Sequence, residues 1–66
     1  MKLFQYAILW HPNKKELEDG LKSKVLVPIN TILGIDPTKV AMMAAMEIPA
    51  EYKTVLDQIE VVIRPF

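Results

Sequence analysis

The segment Leu3–Trp10 (LFQYAILW) constrains the fold most, because an extended chain of these residues is apolar on both sides. Successive side chains of a strand point to opposite faces. Phe4, Tyr6, Ile8 and Trp10 share one face, and Leu3, Gln5, Ala7 and Leu9 share the other. The run is short, rich in aromatic and branched residues, and stopped by His11-Pro12, so it reads as a strand. A strand apolar on both sides belongs at the centre of a sheet, with cover on both faces.

The other segments arrange themselves around it. Asn13 to Ser23 is polar and reads as a solvated hairpin loop turning at Gly20, although Asn13 and Glu16 have capping-box spacing. Lys24–Leu33 is a second strand, with Val25, Val27, Ile29, Thr31 and Leu33 on one face and Leu26, Asn30 and Ile32 on the other. Pro28 inside it demands an edge position or a bulge, and Gly34 marks the exit. Asp36-Pro37 is a helix start, since Asp36 can cap and Pro37 loses no needed donor. The helix runs from Pro37 to about Glu47, where Ile48-Pro49 stops it. A short second helix follows from Pro49 to about Leu56, with Tyr52, Val55 and Leu56 at helical spacing. Ile59–Phe66 is the third strand. A right-handed crossover makes strand three parallel to strand two, and placing strand one between them makes every neighbouring pair antiparallel. The expected fold is α+β, a ββαβ chain with a three-stranded antiparallel sheet of order 2-1-3. One main helix lies on one face, and a short second helix precedes the last strand.

At 66 residues the chain has room for one domain, 1–66, and for no second core. A chain this short buries only about 60% of the surface its unfolded form exposes. It has no Cys, hence no disulfide staple and no Cys-based zinc site. With 52% hydrophobic residues and a mean hydropathy of +0.20, self-association is the natural supplement to so small a core. Eight Lys and Arg balance eight Asp and Glu, so the net charge is zero. That argues against a nucleic-acid binder, for which a basic face is the footprint, and makes the aromatic stripe Phe4, Tyr6, Trp10 core. No stretch is long and apolar enough for a membrane span, and Leu3–Trp10 lacks the cleavage pattern of a signal peptide. The expected location is the cytoplasm.

Val40 to Met46 (VAMMAAM) has no polar residue, whereas a helix on one sheet needs an apolar stripe of only about 100°. Val40, Ala44 and Ile48, with Ala41 and Ala45, can face the sheet. Met42, Met43 and Met46 are left as a subunit or partner interface, a role suited to adaptable thioether side chains. His11 is the only histidine and has no Cys or clustered carboxylates near it in sequence, so neither a metal site nor a cofactor is expected. A catalytic triad needs a nucleophile and an orienting acid as well. Ser23, the only serine, falls in the polar loop, and Asp36 is better used as a cap. Gly20 and Gly34 are isolated and make no phosphate cradle. The chain therefore reads as non-enzymatic. Trp10, His11 and Arg64, all near strand ends, form a candidate binding site for a nucleotide-like ligand held between subunits.

The opening MKLFQYAILWHP, the segment Ile48–Tyr52 (IPAEY) and the closing DQIEVVIRPF of Asp57–Phe66 resemble small uncharacterised tailed-bacteriophage proteins. The resemblance implies a phage origin rather than an activity. It points to an accessory protein that sequesters or inhibits a host component, a protein or a nucleotide-like ligand, in the host cytoplasm. The alternative is a minor structural or decoration protein of the virion.

Overall fold

A computed structural model describes residues 1–66. Strand β1 (Lys2–Trp10) is followed by helix α1 (Lys14–Glu18) and strand β2 (Lys24–Gly34). Helix α2 (Pro37–Ala45), a 3₁₀ segment (Ala50–Gln58) and strand β3 (Ile59–Pro65) complete the chain. The sheet has the order β2-β1-β3, and both neighbouring pairs are antiparallel. The strand that is apolar on both sides is the central one, as its pattern requires.

Asp36 caps α2 by accepting the backbone N–H of Lys39 at 2.9 Å, and Pro37 stands in the first turn. The helix lies on the Phe4, Tyr6, Ile8, Trp10 face and buries Val40 and Ala44, with Ile48 beyond its end. Ala45, expected against the sheet, is exposed. Gly34 lets the helix come close: a Cβ built there would overlap Val40 Cγ2.

Three local expectations are corrected. The polar loop holds a helical turn, α1, because both halves of the capping box form: Glu16 N–H donates to Asn13 Oδ1 at 2.8 Å, and Asn13 N–H donates to Glu16 Oε1 at 3.0 Å. The turn at Gly20 is present, with φ of 88°. The second helix is 3₁₀ rather than α. It is two short stretches joined by a kink at Val55, whose φ of −127° and ψ of 42° are not helical; Tyr52, Val55 and Gln58 come part-way under cover and Leu56 is left in solvent. Finally, β2 does not alternate simply. Leu9 lies opposite Val25, Ile8 opposite Val27 and Tyr6 opposite Asn30, so β2 carries one extra residue on each side of Val27. These bulges turn Val27 away from Val25 and Ile29 and onto the core, beside Leu26 and Ile32. Pro28 sits in the second bulge, on an edge strand, where its missing N–H costs nothing.

Only 8 of 66 residues are buried, and all seven with side chains larger than glycine belong to the β1–α2 layer. No element of the chain covers the opposite face of the sheet, so β1 has the expected cover on one side alone.

Candidate functional site

The bare face of the sheet has a simple plan. Pairing places Leu3 beside Leu33, Gln5 between Thr31 and Arg64, and Leu9 between Val25 and Glu60. The row between them holds Ala7 and Val62, with Ile29 on the β2 side. Val25 and Ile29 are 62% and 61% exposed. Leu3, Leu33 and Val62 are exposed as well. A shallow cleft of about 290 Å³ opens over Ala7, Leu9, Val25, Ile29, Val62 and Arg64. Small Ala7 makes its floor. Arg64 donates Nε–H to Gln5 Oε1 at 2.8 Å and has no carboxylate partner in the chain.

At one end of this face lies a polar cluster. The end of central β1 falls between the start of β2 and the start of β3, which brings His11, Ser23 and Glu60 together. His11 Nε2 is 2.8 Å from Glu60 Oε1, and His11 Nδ1 is 2.8 Å from Ser23 Oγ. An ionised carboxylate only accepts. In the neutral ring Nε2 therefore donates to Glu60 and Nδ1 accepts from the serine hydroxyl; in the imidazolium both nitrogens donate. The connectivity is that of a Ser–His–carboxylate triad with the ring nitrogens exchanged. All three side chains are open to water, and neither surface hollow of the protein is lined by any of them. The hydrogen bonds clasp the three strand ends to one another.

The clasp continues beneath. Gln58 Nε2–H donates to His11 O at 2.9 Å and to Glu16 Oε1 at 2.7 Å, and His11 N–H donates to Gln58 O at 2.8 Å. The Asn13 backbone N–H, the Gln58 amide and the charge of Lys24 all favour the ionised form of Glu16. The two hydrogen bonds do most to hold its carboxyl below the usual carboxylate range, against an opposing desolvation effect larger than the Lys24 contribution alone.

The residues singled out from sequence are placed as follows. Trp10 points to the helix side, is 6% exposed, and carries Lys24 Nζ 5.4 Å from its ring centroid. Arg64 points to the other face, opposite Gln5, five residues along β1 from Trp10, or about 16 Å at ~3.3 Å per residue. Within one chain, then, Trp10 and His11 are neighbours and Arg64 is not among them. Met42, Met43 and Met46 are 62%, 45% and 83% exposed on the outer side of α2. Ser23 and Glu60 went unmarked as partners of His11, although the 2-1-3 order was enough to align their positions. No group of three or more His, Cys, Asp and Glu side chains is arranged to hold a metal ion. No helix is long and apolar enough to cross a membrane. Comparison with protein-family models, curated proteins and solved structures returned no match.

Proposed function

We propose that this chain is a non-enzymatic binding protein that acts as a homo-oligomer. One observation carries the reading: a central strand apolar on both sides has cover on only one of them. Leu3, Val25, Ile29, Leu33 and Val62 stand 40–62% exposed on the bare side. Covering the exposed half of such a side chain is worth about 1 kcal/mol, roughly half the value of full burial, and a domain this small has little stability to forgo. Neutral net charge opposes no approach of like copies. Met42, Met43 and Met46, on the other side of the molecule, offer a second adaptable surface for a different partner. The bacteriophage resemblance suggests what that partner is: a host protein or nucleotide-like ligand held by an accessory protein in the host cytoplasm, or the virion surface itself.

Sedimentation velocity over a concentration series tests the oligomer. A dimer or larger species at micromolar concentration, with a melting temperature that rises with concentration, supports the reading. A cooperatively folded monomer at every concentration overturns it. Protein composition of purified particles separates the two phage roles, because a fixed high copy number belongs to a decoration protein.

A further inference from the structure

We propose that the missing layer over the bare sheet face is a second copy of this chain, packed sheet on sheet about a twofold axis through the Ala7–Val62 row. The inference rests on the homo-oligomer reading and specifies its contact. On β3 the bare face presents Glu60, Val62 and Arg64, with Val62 opposite Ala7 in the pairing. Acid and base are thus equally spaced on either side of one row, about 13 Å apart at ~3.3 Å per residue. An axis lying in the interface and perpendicular to the strands sets each strand over its own copy and reverses its direction. Glu60 then faces Arg64 of the second copy, and Arg64 faces its Glu60. One symmetry operation makes both pairs. An axis along the strands would instead lay β3 over β2 and set Arg64 against Thr31 and Glu60 against Val25, which leaves Arg64 under cover with no carboxylate and Glu60 with His11 alone.

The hydrogen-bonding capacity for these pairs is free. Arg64 spends Nε–H on Gln5, which leaves both Nη groups, and Glu60 spends Oε1 on His11, which leaves Oε2. Aligned sheets pack about 10 Å apart at roughly 30°, a tilt that displaces each pair by a distance an arginine side chain spans. Alanine in the central row permits that approach. Such a contact is isologous and closes at two copies.

Charge reversal tests this, read by sedimentation velocity. Arg64→Glu and Glu60→Arg each place like charges face to face twice and should raise the dimer Kd at least 100-fold. The combined Glu60→Arg, Arg64→Glu protein restores both pairs and should return to within about tenfold of wild type. That rescue is decisive even where a single variant unfolds. As a second measurement, Ala7→Cys protein should be joined into a covalent dimer by a short bismaleimide, and Lys39→Cys protein, on α2, should not. Single reversals that dimerise with wild-type affinity overturn the sheet contact and leave the oligomer standing. So does dissociation by Met42→Glu with Met46→Glu in their place. A monomeric wild type overturns both.

Discussion

Replacing Gly34 with Ala adds one methyl group where α2 crosses the end of β2. The new Cβ overlaps Val40 Cγ2. Val40 cannot yield, because it is fully buried and its β-branched side chain is restricted at χ1. Ala44 and Ile8, also fully buried, lie in the same layer. Gly34 does not have positive φ, so alanine meets no backbone strain. It also restricts the unfolded chain, a gain of about 0.4–1 kcal/mol. Against that gain stands overpacking, which costs about 1–3 kcal/mol. The helix has to lift from the sheet, so we expect the upper half of that range and a net loss of about 1–2.6 kcal/mol. In a domain of this size each kcal/mol moves the melting temperature by roughly 4–8 °C. Thermal unfolding followed by circular dichroism, with both proteins at one concentration, reads the difference. Val40→Ala removes the clashing methyl, so the double variant should lose less than the two single losses combined. A Gly34→Ala protein as stable as wild type, or more so, would mean that α2 sits farther from β2 than described.

Glu16 predicts a pH dependence. Its folded pKa is lowered, so its stabilising contribution is present above the ordinary carboxylate range and lost as pH falls through the lowered value. In Glu16→Gln protein the acid limb of a stability–pH curve should be correspondingly shallower. Asn13→Ala removes the cap and should cost about 0.5–2 kcal/mol in a chemical denaturation experiment. Ser23 should resist an alkyl fluorophosphonate. Stoichiometric labelling that disappears in His11→Ala protein would make the chain a serine hydrolase and end the binding-only reading. Amide exchange should be slowest along β1, which is paired on both edges, and faster at the bulges of β2 around Val27.

Much of the fold is legible in the sequence, and the reasons are local. Asp36-Pro37 starts a helix wherever it precedes an apolar stripe, and an apolar two-sided strand has only the central place to take. The failures arise where a period is not a whole-chain property. Val27 reads with Val25 and Ile29 at period two, and only the pairing with β1 reveals that an extra residue on each side reverses it. Leu56 reads with Tyr52 at period 3.6, but the kink at Val55 breaks that period and leaves Leu56 exposed. At Asn13 and Glu16 the spacing was legible, but a capped turn of charged residues has no apolar stripe to announce it. His11, Ser23 and Glu60 are separated by 12 and 49 positions. Spacing along the chain alone does not bring them together; the 2-1-3 strand order does.

The bulges that flank Val27 have a further consequence, which concerns the rim of the sheet rather than its faces. β2 is the longest strand, and its outer side offers a row of backbone donors and acceptors, the usual template for adding strands without end. Pro28 removes one donor from that strand, and two bulges within six residues (Val25–Asn30) break the spacing an incoming strand would have to match. Ladder extension from β2 therefore falters at its middle. Under the self-association proposed above, contact between copies is steered from growth by the rim toward closure by the face, and so toward a finite particle in place of a fibre.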